Sequence, residues 1–203
     1  LLLEDVMGVE FESIEDMIPN NKAWATRIPY TNPREQMWPY TLCTAVENGW
    51  IWEIPLYSRL GSGYVYSDRF ISDDDALVQF QQNLIKKGYK SPEKLDYKHI
   101  KMRNGIHKKL WVKNVVAVGL SSGFIEPLES NGLWTTHENL TELTTTLERN
   151  FMVNSWDREQ FNGKMLLTFA TFAEFVALHY MWSHRSDTEY WKEISERNWL
   201  EIQ

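Results

Sequence analysis

The sequence predicts an α+β fold, an antiparallel sheet followed by C-terminal helices. Three observations point there. Strand-like alternation broken by turn signals fills residues 1–120, where only one segment has helical periodicity. An Asn48-Gly49 step, which tolerates the positive φ of a tight hairpin, separates two aromatic-rich runs. Helical spacing then takes over in residues 121–203. A chain of 203 residues holds one sizeable core or two small ones. It is read here as one fragment: residues 1–120 a mostly β portion with one surface helix, residues 121–203 a loop and helices.

The elements follow in order. "AWATRIPY" (23–30) alternates as a strand, and Pro29 and Pro33 bracket a polar loop after it. "YTLCTAVENGWIWEIPLYS" reads as strands near 40–47 and 50–57 around a Glu47-Asn48-Gly49 turn. In the second of these, Trp50, Trp52 and Ile54 share a face because side chains alternate. "GSGYVYSDRF" adds a strand with Tyr64 and Tyr66 on a common face. "SDDDALVQFQQNLIKKG" is a helix: Ser72 caps it, Asp73, Asp74 and Asp75 suit its positive end, and Lys86 and Lys87 suit its negative end. Gly88 closes it, and Leu77, Phe80 and Leu84 are its packing residues.

Beyond that helix, "LDYKHIKMRNG" and "HKKLWVKN" read as strands joined at Asn104-Gly105, and "VVAVGL" as a strand buried on both faces. Leu133, Leu140, Leu143 and Leu147 then mark a helix of about four turns. A second helix covers roughly 157–182, with Phe161, Met165, Phe169, Phe172, Val176 and Tyr180 on one side.

Composition excludes several classes. A net charge of −7 without any Lys/Arg block argues against a nucleic-acid surface. No run approaches the roughly 18 apolar residues that cross a bilayer, so no membrane partner is expected. One cysteine, Cys43, permits neither an internal disulfide nor a cysteine zinc site, which fits a reducing, cytoplasmic setting. The five histidines show no metal-ligand spacing beyond a loose 179/184 pair. Asn139-Leu140-Thr141 matches a glycosylation triplet, but it falls inside a helical segment. Ten tryptophans are the oddity; they imply broad packing faces or a stacking pocket.

The segment with chemical content is "SSGFIEPLESNGLW" (121–134), a loop that enters a helix. Gly123 allows close backbone approach to a ligand, and Pro127 stiffens the path. Ser130 is placed to cap a helix whose first amides belong to Asn131, Gly132 and Leu133. Those amides lack intrahelical partners, and the helix dipole adds partial positive charge, so such an end suits an anion. A plain helix cap accounts for the same local pattern, and Glu129 is stabilising at that end in either case.

The wider wording resembles the flavin-dependent tryptophan halogenases. "GWIWEIP" (49–55) resembles that family's Trp-x-Trp-x-Ile-Pro signature, and "GLSSGFIEPLESNGL" (119–133) its active-site segment. "AWATRIPY", "GSGYVYS" and "HYMWSHRSDTEYW" also look like family segments in the right order. The resemblance implies a flavin-monooxygenase-like fold. It further implies that reduced FAD, O2 and a halide, chloride or bromide, yield hypohalous acid that halogenates an electron-rich, indole-like aromatic substrate. A separate flavin reductase would supply the reduced FAD, and a homodimer is an open option.

Carried over by position, Glu129 matches the family's active-site glutamate, which polarises the halogenating agent or takes the ring proton, and Ser130 its neighbouring serine. Asn131 and Gly132 match the pair whose backbone amides hold the halide beside the flavin, with Pro127 and Leu133 flanking them. Asn131 departs from the threonine often found there, which puts pocket size and halide preference in doubt. Trp50 and Trp52 are implied near the flavin, where they keep substrate from it, although ordinary core packing fits them as well. Tyr190 and Trp191 match an aromatic pair beside the substrate, and His179, Tyr180 and Ser186 fall near substrate contacts in a looser alignment.

Two expected parts are not in this sequence. It contains no G-x-G-x-x-G loop for the FAD pyrophosphate, and "GSG" at 61–63 continues wrongly for one. Only Lys22 precedes Trp50, too close to be the family's catalytic lysine, and Lys86, Lys87, Lys108 and Lys109 read as solvated charges. The chain opens without Met, in mid-element, and reads as the C-terminal part of a longer enzyme, inactive by itself. Two other readings remain: a flavin monooxygenase of the same fold that hydroxylates, and a non-catalytic module that binds aromatic ligands.

Overall fold

The computed structural model describes residues 2–149 and 152–196. In chain order it contains β1 (Phe11–Ser13), β2 (Lys22–Ile28), a short α1 (Pro33–Gln36), β3 (Leu42–Val46), β4 (Gly49–Pro55) and β5 (Leu60–Tyr66). Next come α2 (Asp73–Lys86), β6 (Tyr97–Lys101), β7 (Gly105–His107), β8 (Trp111–Val112), β9 (Val115–Val116) and β10 (Gly123–Phe124). Three helices finish it: α3 (Asn131–Arg149), α4 (Ser155–Met181) and α5 (Glu189–Glu196). All strand pairs are antiparallel, so the α+β class holds.

The chain divides into two compact units, which are interleaved in sequence. Residues 20–102 and 182–196 form a sheet unit; residues 2–19 and 103–181 form a helical unit. Division at residue 120 follows element type; this division follows packing.

The sheet unit is built on five strands in the order β3-β4-β5-β2-β6. Glu47 and Asn48 make the β3–β4 turn. Gly49 takes φ +151°, and a Cβ there would lie 2.0 Å from the Val65 carbonyl oxygen, so the position excludes any side chain. α2 is capped as expected: Ser72 Oγ accepts from the Asp75 amide at 3.2 Å. The helix buries Ala76, Phe80 and Leu84, with Leu77 only half-buried, against Ile28, Val46, Ile51, Leu60, Tyr64 and Tyr66 of the sheet. Each large apolar side chain so buried contributes about 1.5–3 kcal/mol.

One lysine departs from its expected surroundings. Lys87 is not simply solvated but pairs with Glu53, a carboxylate 2% exposed. Lys22 opens β2 and bridges Asp73 at 2.9 Å and Asp68 at 3.1 Å. Tyr66 donates to Asp73 as well, so this network ties the start of α2 to β2 and β5.

On the other sheet face, Trp52 lies over Gly63, where a Cβ would meet the indole at 2.1 Å. The segment before and within α5 closes the β3–β4 turn. Val46 O accepts from Trp191 Nε1 at 2.7 Å and from Arg185 at 3.1 Å, and Thr188 donates to Glu47 O at 2.8 Å.

In the helical unit a small sheet, β1-β7-β10, lies beside the long helices α3 and α4. Here the structure corrects three expectations. Asn104-Gly105 is not a hairpin turn: β6 pairs with β2, whereas β7 pairs with β1 and β10. Gly105 takes φ +146° because Glu12 O approaches to 2.2 Å of where its Cβ would stand. "VVAVGL" is not a buried strand: only Val115–Val116 pairs, with β8, and the next residues turn into a 3-10 helix at Gly119–Ser121. α3 forms, but Leu133, Leu140 and Leu147 are exposed, while Asn131, Asn139 and Thr146 are its buried residues.

The second helix behaves as its pattern implies. Phe161, Met165, Phe169, Val176 and Tyr180 are buried, and Phe172 is half-buried. Its start is earlier than expected because Asn154 caps it: Asn154 Oδ1 accepts from the Trp156 and Asp157 amides, and Asp157 Oδ2 accepts from the Asn154 amide. Within α4, Asn162 replaces an apolar contact with three hydrogen bonds. It accepts from the Leu110 amide at 2.8 Å and the Trp111 amide at 2.7 Å, and donates to Trp111 O at 3.1 Å. No described helix is long and apolar enough to cross a membrane.

Candidate functional site

The loop from β10 to α3 holds the residues expected to carry the chemistry. After Phe124 the chain buries Ile125 and Glu126, makes a 3-10 turn over Pro127–Glu129, and enters α3 at Asn131. Ser130 joins the two helices in the left-handed region, φ 54°, ψ 32°. A cap residue normally has extended backbone angles and lends its side-chain oxygen to the helix. Ser130 does neither. It is a left-handed joint, and such a conformation in a non-glycine residue costs about 1–2 kcal/mol.

That joint turns the first amides of α3, those of Asn131, Gly132 and Leu133, into the open end of a helix of 19 residues. A Cβ at Gly132 would meet nothing within 4 Å. Beside this end lies a mostly apolar cavity of about 300 Å³, whose lining includes Gly119, Gly123, Asn131, Gly132, Leu133 and Phe169. Leu133 is 87% exposed.

The two glutamates of the loop have different environments. Glu126 is 0% exposed and accepts from the Tyr180 hydroxyl. The Glu129 side chain is 34% exposed, and its Oε1 lies 2.8 Å from His179 Nε2. Consecutive residues at the end of α4 therefore hold both carboxylates, one inside the unit and one at its surface. The other ring nitrogen of His179, Nδ1, faces the Phe175 carbonyl at 3.0 Å. Along the same helix, Phe175 meets His179 edge-on at 5.2 Å and Phe172 stacks with Trp134 at 5.0 Å.

The remaining expected residues divide between the units. Tyr180 belongs to the helical unit, 2% exposed, with its hydroxyl on Glu126. Trp50 and Trp52 belong to the sheet unit, on one face of β4, ring centroids 6.0 Å apart. Trp50 is 4% exposed, and no described residue accepts from its buried indole N–H. Tyr190 and Trp191 also lie in the sheet unit. Tyr190 is fully buried, donates to Asn20 at 3.0 Å and packs edge-on against Phe70. Trp191 donates to Val46 O, and the Arg185 guanidinium covers its ring at 4.9 Å. As placed, Tyr180, Tyr190 and Trp191 offer a ligand almost no surface. Among the described residues no cluster of three metal-ligating side chains occurs.

The tryptophan halogenase family model matches residues 1–201. The chain belongs to the tryptophan halogenase family. It is 37% identical over 202 residues to the tryptophan 6-halogenase SttH of Streptomyces toxytricini, covering 97% of this chain and 37% of that protein. To the tryptophan 7-halogenase RebH of Lentzea aerocolonigenes it is 32% identical over 196 residues, covering 97% and 36%. The solved ligand-free structure of VirX1 superposes with a TM-score of 0.90 at 44% identity, covering 96% of this chain and 36% of that one. The chain thus spans about 37% of the length of the curated halogenases it matches.

Sequence reasoning missed the partner of Glu129. His179 stands 50 positions away, and no local pattern ties a residue near the end of α4 to the Pro127–Glu129 turn. It missed Asn162 too, an amide inside an apolar stripe. A polar residue in such a stripe, close to backbone that lacks long strand partners, was the available signal.

Proposed function

We propose that the protein is part of a flavin-dependent halogenase that acts on an electron-rich, indole-like aromatic substrate through hypohalous acid. The observation that carries this reading is the Pro127–Gly132 turn: a half-exposed carboxylate, Glu129, set beside the open end of α3 in a chain of this family. Glu129 acts as the base for the ring proton or polarises the halogenating agent. The amides of Asn131 and Gly132, with Pro127 and Leu133 at their sides, receive the halide. Ser130 fixes the angle between the carboxylate and those amides.

The residues present suit a halide and the edge of an isoalloxazine: open space before Gly132, an apolar cavity beside it, and unpaired helix amides. The Gly-rich stretch that would cradle a pyrophosphate does not occur in the 203 residues. When bound, reduced FAD with O2 supplies the oxidising equivalent. The roles of Trp50 and Trp52 near the flavin, and of Tyr190 and Trp191 near the substrate, rest on the resemblance alone; buried as they are, the last two support a wall rather than face a ligand.

The test uses the intact protein with a flavin reductase, O2, chloride or bromide, and an indole, read by mass spectrometry. Halogenated product supports the proposal. Hydroxylated product without halogen replaces it with the monooxygenase reading. No turnover and no flavin spectrum leaves only the aromatic-binding module. The 203-residue chain alone is expected not to retain FAD, and stoichiometric FAD co-purifying with it would contradict this account.

A further inference from the structure

The contact between His179 and Glu129 has a proton count. The Phe175 carbonyl can only accept, so Nδ1 of His179 carries a hydrogen; the tautomer is assigned from this partner. Nε2 then faces Glu129 Oε1 at 2.8 Å. A neutral imidazole with its hydrogen on Nδ1 would set a lone pair against a carboxylate at that distance. A hydrogen bond there needs one proton more, held between the two side chains. Glu129 Oε2 has no partner among the described residues.

We propose that His179 is the positioning residue for Glu129, and that the pair is a one-proton device which serves both halves of the halogenation. This rests on the halogenase reading. The reaction is arene plus hypohalous acid to haloarene plus water. As the ring carbon bonds to halogen, the halogen–oxygen bond breaks, and the departing hydroxide takes the proton held by the pair and leaves as water. The ring carbon then releases its proton to Glu129, and the C–H electron pair restores aromaticity. The pair ends with the proton count it began with, so no exchange with bulk water is needed between turnovers. His179 supplies what a lone glutamate lacks: a fixed Oε1 and a store for the proton.

Few other groups bear on this pair. On α4 the neighbours of His179 are the Phe175 ring and carbonyl and, on the inner side, Tyr180. On the loop the nearest ionisable group is Glu126, buried with Tyr180. No other charged side chain pairs with either residue among those described. The His179 side chain is 38% exposed, so its replacement does not open the core.

The experiment uses the intact enzyme with reductase, halide and an indole. Hypohalous acid is scored separately, without arene, by chlorination of a β-diketone. In His179→Phe, halogenation of the indole is expected to lose at least tenfold in kcat with KM within about threefold, while hypohalous acid still forms. His179→Gln, whose amide donates to Oε1 but cannot give up a proton, should likewise keep KM within about threefold yet stay at least tenfold low in kcat. Arene halogenation within threefold of wild type in His179→Phe overturns the inference, as does full kcat in His179→Gln. Hypohalous acid lost in parallel overturns it as well. An unsubstituted enzyme that makes no hypohalous acid overturns the halogenase reading, and this inference with it.

Discussion

Replacing Asn162 by alanine tests how α4 holds the β8 strand. The substitution removes three hydrogen bonds at once: those from the Leu110 and Trp111 amides and that to Trp111 O. Leu110 is 0% and Trp111 6% exposed, so the freed backbone groups are buried. Each buried group left without a partner costs about 1–3 kcal/mol. Three such groups set an upper range near 9 kcal/mol, and water entering the space left by the amide recovers part of it. The expected loss is about 3–5 kcal/mol, a large share of the 5–15 kcal/mol typical of a domain. Hydrogen exchange at the Leu110 and Trp111 amides reads it directly, because about 1.4 kcal/mol is tenfold in opening; protection should fall by roughly two to three and a half decades. Asn162→Asp keeps both accepted bonds and should fall by less. Wild-type protection of the two amides in Asn162→Ala would show that Asn162 does not hold this strand.

Four further outcomes are expected. Phe80→Ala, at a fully buried ring between α2 and the sheet, should cost about 3–5 kcal/mol in urea unfolding. Gly63→Ala should cost at least about 1–3 kcal/mol through overpacking against Trp52, and adding Trp52→Leu should recover part of that in a double-mutant cycle. Glu4 is held down from 4.5 to about 2 by the Arg103 guanidinium, 2.8 Å away. A carboxylate with a depressed folded value stabilises above its unfolded value and loses that contribution as pH falls through the folded one. Arg103→Leu should therefore destabilise at pH 7, and its difference from wild type should shrink between pH 4.5 and about 2 in pH-resolved unfolding. Finally, Glu129→Gln in the intact enzyme should cut halogenation on the order of 10²- to 10⁴-fold without stopping flavin reduction; halogenation at the wild-type rate removes Glu129 from the chemistry.

Local rules carried well where the local signal and the tertiary role coincide. Ser72 followed by three aspartates names a helix start and nothing else, and α2 begins there. Asn48-Gly49 lies between two strands that do pair. Asn104-Gly105 fails by the same rule, because the dipeptide reports a tolerated φ and not the partner that requires it. At Gly105 the requirement comes from β1, almost 100 residues earlier, as the chain passes from one unit to the other. "VVAVGL" has strand composition, but its ladder with β8 covers Val115–Val116 and ends in a single further bond, from the Ala117 amide to Leu110 O. In α3 the leucine stripe marks a helix correctly, yet the helix buries the Asn131, Asn139 and Thr146 side instead. At the site, the motif placed Glu129 and the helix end, whereas the left-handed angle of Ser130 and the reach of His179 depend on packing that no local window contains.

The seat of Trp52 on Gly63 has an evolutionary consequence. The indole fills the space a Cβ would need, 2.1 Å from it, and the Trp24 carbonyl closes the other side at 2.6 Å. Neither position can drift alone: a side chain at 63 evicts the indole, and a small residue at 52 leaves β5 bare. Among descendants of a common ancestor the two should be inherited as a pair. A relative with a bulky residue at the position of Gly63 is then expected to carry something other than tryptophan at the position of Trp52, which makes residue 63 an indirect marker of whether the first half of the signature still has its shape.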